Sequence, residues 1–341
     1  MKKIITIWIV LLGICFWLSQ VNPSIANEKK EKIPKGLKTK TEIKYKYVEK
    51  SGKYEQILGN KTVSQYDKMG NEIEVTKYDG DGKLTDKRLC KYDDKSDKIE
   101  EAWHDADDKL INKFIYKYDD KGNQIESVTY GVNGKLSNKF IYKYDDKGNQ
   151  IERAIYGFDG KLRSKLILKY DDKGNEIEGI EYNGRGGLMA KFSFKYDDKD
   201  NKIEGVEYDA TGQLGCKFIY KYDDKSNEIE RAWYGADSKL EGNNTLKYDD
   251  KGNQIEEANY GADGKLKWKS IPKYDDKGNQ IEMVGYDADG KPTGKHFYKY
   301  DDKCNKIEHA RYKIKEESGK AKEIPIEQIN WEYEFYPDPK K

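Results

Sequence analysis

Tyr118-Asp119-Asp120-Lys121-Gly122-Asn123-Gln124 belongs to a unit that returns every 26 residues. Its Tyr-Asp pair stands at Tyr66, Tyr92, Tyr118, Tyr144, Tyr170, Tyr196, Tyr222, Tyr248, Tyr274 and Tyr300. Ten copies on one period describe a repeat architecture, in which a single supersecondary unit is stacked and each copy covers its neighbour's apolar surface.

Lys113 to Asn138 serves as the model unit. Phe114, Tyr116 and Tyr118 alternate with Ile115 and Lys117, the period of two that predicts a strand. Asp119-Asp120-Lys121-Gly122 then turns the chain, with Asp opening the turn and Gly where a positive φ is wanted. Val128 and Tyr130 are again two apart, and Gly131-Val132-Asn133-Gly134 turns into Leu136 and the next Phe140. Each repeat therefore reads as two strands and two turns, so the fold expected is all-β, an antiparallel meander of ten 26-residue repeats.

If both turns are type I with a Gly-containing bulge, Tyr116 faces Glu126, Phe114 faces Val128, and Tyr130 faces Leu136. One side then carries Phe114, Tyr116, Tyr118, Val128, Tyr130 and Leu136, and the other Lys113, Lys117, Ser127, Thr129 and Lys135. Ile125 and its counterparts fall one residue out of phase. Either a bulge near Asn123 swings Ile125 inward and Glu126 outward, to be undone before Val128, or Ile125 packs outside beside Lys117. Twenty strands at ~4.8 Å spacing would make an open sheet about 95 Å long. Its bare aromatic face would exceed the roughly 300–600 Å² of the largest apolar patch on a typical monomer. The expectation is a curled or spiralling sheet, a β-solenoid, with the aromatic side inward. The alternative is a flatter ribbon covered by its own Tyr and Lys stems.

The flanks differ in character. Residues 1–26 read as an export signal, with Lys2 and Lys3 before an apolar run from Ile4 to Leu18 and Ser24-Ile25-Ala26 at the cleavage site. The rival is an uncleaved anchor, the only membrane contact expected. Residues 27–41 read as a flexible lead-in, 42–65 as an N-terminal capping hairpin, 66–312 as the repeat array, and 313–341 as a C-terminal cap. In that cap Trp331, Tyr333 and Phe335 alternate as a closing strand.

Charged residues make up 37%, but Lys+Arg (64) and Asp+Glu (63) cancel, so no net field draws in nucleic acid. The 28 Tyr and 9 Phe and the strict phase argue for a folded chain rather than a disordered one. Cys90, Cys216 and Cys304 sit at three different positions of the repeat, which allows one disulfide pair at most.

The turns resemble the YD repeats of Rhs-type bacterial proteins and teneurins, whose pattern is Tyr-Asp-x-x-Gly-Arg-Leu. Tyr78-Asp79-Gly80-Asp81-Gly82-Lys83-Leu84 and Tyr286-Asp287-Ala288-Asp289-Gly290-Lys291 carry it almost whole, with Lys for Arg. Tyr144-Asp145-Asp146-Lys147-Gly148-Asn149-Gln150-Ile151 keeps Tyr-Asp-x-x-Gly and delays the aliphatic by one residue. The resemblance covers roughly residues 66 to 312. It implies a spiralling β-sheet, an exported protein, and a role in encapsulation, adhesion, or carbohydrate and protein binding, with no enzyme carried over.

Chemistry is sparse. His104, His296 and His309 are read as repeat drift rather than a metal or general-base site. Phosphate-loop and dinucleotide patterns are missing, so neither cofactor nor metal is expected. Asp79-Gly80-Asp81 and Asp287-Ala288-Asp289 start like a calcium loop, but its twelfth position is Cys90 or Tyr298 rather than Glu, and turn formation explains them. Glu126 and Lys117, repeated along the chain, are read as a solvated face of alternating charge. Trp103 and Trp233 share the position of Thr129, read as outward, and are the candidate partner or glycan contacts; Trp268 is read as inward, a core residue. In later copies Phe114 becomes Asn244, Ser270 and His296, and Tyr116 becomes Leu246 and Pro272, so the C-terminal third is where an irregularity or groove is expected. The function expected is an exported, non-catalytic scaffold, periplasmic, secreted or at the cell surface, that binds a protein or a carbohydrate.

Overall fold

A computed structural model describes residues 33–317 and 319–337. The export signal and the first part of the lead-in, residues 27–32, lie outside the described residues. Among the described residues, the chain from Leu37 to Phe335 forms 22 antiparallel strands in sequence order, joined by tight turns and one 3-10 turn at Val132–Gly134. The first strand, β1 (Leu37–Lys50), pairs with β2 (Lys53–Tyr66) and also with the last, β22 (Lys320–Phe335). That second pairing, which runs from Leu37↔Phe335 to Lys46↔Glu327, closes the meander into a barrel. Closure removes both sheet edges, which a spiral or ribbon would leave open. The solenoid expectation is corrected accordingly.

β1 also corrects the lead-in. It begins at Leu37, inside the stretch read as flexible, and Leu37 is only 1% exposed. Its order comes from β2 and β22 on its two sides, and 15 residues without apolar period carry no sign of that.

The register decides which side chains share a face. In β6 (Leu110–Tyr118) and β7 (Gln124–Tyr130), Lys117 pairs with Glu126, Tyr116 with Ser127, and Ile115 with Val128. Every one of these rungs is one residue away from expectation. The turn itself is as expected: Asp119 donates its N–H to the Asn123 carbonyl, and Gly122, at φ +86°, donates to the Asp119 carbonyl. The reason lies one rung further in, where Tyr118 pairs with Gln124 but Lys117 pairs with Glu126, so a second bulge takes in Ile125. Because side chains alternate, one extra residue sends every later side chain of the strand to the opposite face. The bulge is not undone. Val128 and Tyr130 therefore lie beside Lys113, Ile115 and Lys117, while Ser127 and Thr129 lie beside Phe114 and Tyr116.

The bulge explains the period of the tyrosines. The ladder between β7 and β8 (Leu136–Tyr144) ends at Glu126↔Ile141, and just past it the Tyr144 hydroxyl donates to the Gln124 carbonyl at 2.8 Å. Tyr92, Tyr118, Tyr170, Tyr196, Tyr222, Tyr248, Tyr274 and Tyr300 do the same to the carbonyl 20 residues earlier. After the period ends, Tyr333 of the closing strand supplies this bond to Lys306 at 2.8 Å. A bulged backbone acceptor thereby keeps a donor in every copy.

The same register sets the curvature. From Lys117 the rungs run to Glu126 and on to Ile141, two residues before Lys143, the counterpart of Lys117. A two-residue step per two strands tilts the strands by about 35° and, over 22 strands, gives a barrel about 40 Å across between opposite backbones.

Candidate functional site: the inner wall

The two faces of the closed sheet differ in crowding. Lys117 and its eight counterparts keep 60–71% of their side chains exposed. On the opposite face Glu207 is 4%, Glu228 8% and Arg231 9% exposed. Concave curvature crowds the second face, which is the inner wall.

The outer wall repeats one arrangement. Glu126 is held by Lys117 on one neighbouring strand at 2.8 Å and by Lys139 on the other at 2.6 Å. Glu100, Glu152, Glu178, Glu204 and Glu282 have the same two-lysine clamp. These hydrogen bonds hold the Glu126 carboxyl below its ordinary range, against a smaller opposing effect of burial. Between the charged rows, Ala154, Ala258 and Ala310 are 1–4% exposed, at the position of Val128 and beside the rows of Lys and Tyr stems. The Lys and Glu ladder expected from the sequence is thus an outer belt.

The turn aspartates are structural as well. The Asp119 carboxylate accepts from the Lys121 and Asn123 amides at 2.9 and 2.8 Å and from Asn123 Nδ2 at 2.9 Å. Asp79 and Asp287, candidates for a calcium loop, accept from their own turn amides in the same way. Among the described residues no cluster of three or more His, Cys, Asp or Glu is arranged to hold a metal. Cys90, Cys216 and Cys304 are all free, so the one possible disulfide does not form.

The inner wall is different in each sector. In β14 (Leu214–Tyr222) and β15 (Glu228–Tyr234), Arg231 donates to both oxygens of Glu228 at 3.0 and 3.1 Å and lies 5.4 Å from the centre of the Tyr220 ring. Burial raises the pKa of Glu228 against the opposing pull of Arg231, and pushes the Tyr220 phenol up to about 12. Burial likewise raises Glu176, Glu207 and Glu257 and lowers Lys202, whose ammonium sits 3.8 Å from the centre of Phe194. His296 and His309, read as repeat drift, meet: Nδ1 of the first is 3.0 Å from Nε2 of the second, and Tyr298 stacks on His309 at 4.6 Å. Burial, then the neighbouring His296, lowers His309 to about 4.

The tryptophans are relocated by the register. Trp103, in β5 (Lys98–Asp105), pairs with Arg88 and Asn112, and Trp233 pairs with Phe218 and Gly242, so both face inward rather than outward. Trp103 Nε1 donates to Glu101 at 2.8 Å, and Lys77 and Arg88 lie 4.9 and 5.5 Å from its ring. Its ring is already occupied. Trp233 lies over Gly242, where an added Cβ would come within 2.5 Å of its Cζ2. With β5 and β15 ten strands apart in a ring of 22, the two do not form one track.

Trp268 faces inward as expected, on β18 (Leu266–Tyr274), but at 40% exposed it is not the core residue expected, because the side chains beside it are short and polar. Around it stands a polar group missed as a site. On β16 (Leu240–Tyr248) and β17 (Gln254–Gly261), Asn259 Nδ2 donates to Asn244 at 2.7 Å and Asn244 Nδ2 to Glu257 at 3.3 Å. Asn244 and Ser270 mark this place in the sequence as departures from Phe114. Pro272 also acts here: the β17–β18 ladder stops at Glu257↔Ser270, one rung short of the equivalent β7–β8 ladder.

No protein-family model matches the chain, and no curated protein matches it. Among solved structures it is similar to TcdB2-TccC3, at 12% identity over 88% of this chain and 22% of that one, with a TM-score of 0.33. It is also similar to the Tc holotoxin pore of Photorhabdus luminescens, at 12% identity over 78% of this chain and 20% of that one, with a TM-score of 0.27. A porin-like protein from Bacteroides uniformis matches at 12% identity over 86% of this chain and 97% of the other, with a TM-score of 0.32. The chain thus spans about a fifth of the toxin chains it matches. With TM-scores near one third or below, these likenesses stop short of a shared fold.

Proposed function

We propose that this chain is an exported, non-catalytic β-repeat scaffold that binds a macromolecular partner, protein or glycan, at the cell envelope or outside the cell. The binding surface is the inner wall. The observation that carries this reading is the contrast between walls: the outer charges are the same in most copies and already paired, whereas the inner side chains change from sector to sector. An outer wall ringed by exposed lysines also suits water, since each Lys at the bilayer midplane would cost about 2–4 kcal/mol. Export is supported by residues 1–26 and by the resemblance of the turns to YD repeats.

The test uses the chain from Asn27, with Cys304→Ser as background, and a bulky maleimide placed either inside at Ser270→Cys or outside at Lys117→Cys. Partners are sought among envelope proteins, peptidoglycan and a glycan array. The inner label should abolish capture and the outer label leave it intact. The reverse pattern, or capture indifferent to both labels, would remove the inner wall from the reading.

A further inference from the structure

We infer that the inner wall between β15 and β18 is a binding site for a neutral oligosaccharide, with Trp233 and Trp268 as its stacking platforms. This rests on the reading of the inner wall as the binding surface. Three strand spacings separate the two tryptophans around the ring, about 14 Å, which suits several linked sugars rather than one. Gly242 contributes no side chain and the Trp233 ring lies over it, and Gly285 adds none where it pairs with Ser270 on the far side. Between them run Asn244, Asn259, Glu257 and Ser270, whose amide, carboxyl and hydroxyl groups both donate and accept, the complement of sugar hydroxyls. An apolar face flanked by such groups is what a pyranose ring with an axial C–H side and equatorial hydroxyls requires.

Charge selects the class. The nearby cations already have their acids: Arg231, which pairs with Asn244, is held on both oxygens of Glu228, and Lys267, over Gly261, lies 3.7 Å from Asp263. Burial raises the pKa of Glu257, so the balance of the site favours a neutral glycan over an acidic one. The rival places on the wall fit less well. At Trp103 the ring carries Lys77 and Arg88, and the unpartnered Asn112 Oδ1 and Arg88 Nε are buried out of reach. The histidine pair has Arg311 and Lys306 close enough to help lower His309, which opposes a metal cation there.

The test titrates the purified chain from Asn27 with cellohexaose, chitohexaose, maltohexaose and xylohexaose, followed by tryptophan fluorescence and calorimetry. At least one should bind, with Trp268→Ala weakening it tenfold or more, Asn259→Ala several-fold, and Trp103→Phe leaving it unchanged. Because Trp268 is 40% exposed, its loss should leave the melting curve close to that of the parent. Binding indifferent to Trp268→Ala and Asn259→Ala would overturn the site. If none of the four binds while a protein partner is still blocked by the Ser270 label, the oligosaccharide inference fails and the inner-wall reading stands. Failure of both experiments removes both.

Discussion

The outer and inner walls are built from the same strands and obey different rules. Outside, the clamp Lys117–Glu126–Lys139 recurs because each strand meets the same neighbours at the same stagger. Inside, the position of Phe114 is held in turn by Arg88, Phe140, Leu166, Phe192, Phe218, Asn244, Ser270 and His296, and that of Ser127 by Val75, Glu101, Arg153, Gly179, Arg231, Glu257 and His309. Neighbouring inner residues are matched locally: Gly179 stands against the Phe192 ring, and Arg231 beside Glu228. A repeat therefore conserves the wall that carries the register and varies the wall that only needs to fit its neighbours.

Closure supports both walls, so removing it should have the largest effect. Deleting residues 320–341 takes away β22 and leaves β1 and β21 (Lys306–Glu317) as bare edges. The truncated chain should lose its single cooperative melting transition and associate on sedimentation, whereas a monomer melting as the full chain does would show that the meander does not need closing.

A change inside should cost more than the same change outside. Gly179→Val inserts methyls where the Phe192 ring lies and should destabilise by about 1–3 kcal/mol. Ala154→Val, at the outer position where Val128 is already native, should shift the urea midpoint far less. Equal losses would mean the two walls are equally packed.

Tyr144→Phe tests the joint between them. It leaves the Gln124 carbonyl without its 2.8 Å donor and should cost about 1 kcal/mol, read by urea unfolding. Two such changes in distant copies should add.

The smallest effects should be opposite in sign. Burial raises the folded pKa of Glu207, so its contribution is fully present below the unfolded value, near 4.3, and is lost as pH rises through the folded pKa. Glu207→Gln should therefore stabilise the protein at neutral pH and match the parent in acid. Glu126 is held low by its lysines, so its contribution is present above the unfolded value and lost as pH falls through the folded pKa. Glu126→Gln should weaken the protein at neutral pH only. Paired urea titrations at neutral and acid pH would show the crossing, and parallel curves would deny that the walls differ in dielectric.

Much of this was legible in order. The Tyr-Asp period, the two turns per repeat and the alternation around Phe114 and Tyr116 specify an antiparallel meander with an aromatic inner side. Val128 and Tyr130 were misplaced because a bulge at Ile125 shifts the parity, and the delayed aliphatic was its only trace. Trp103 and Trp233 were turned outward by the same slip. The site around Trp268 left a fainter mark, the replacement of Phe114 by Asn244 and Ser270.

What the sequence alone determined is local: strand, turn and repeat length follow from periodicity and from Asp, Gly and Asn chemistry acting within a few residues. Tertiary structure decided the register, the closure and the faces. These depend on where β1 meets β22, some 290 residues apart, and on a bulge whose missing donor comes from the tyrosine of the next hairpin. A contact between distant residues leaves no period behind it, and a single inserted residue reverses a whole strand.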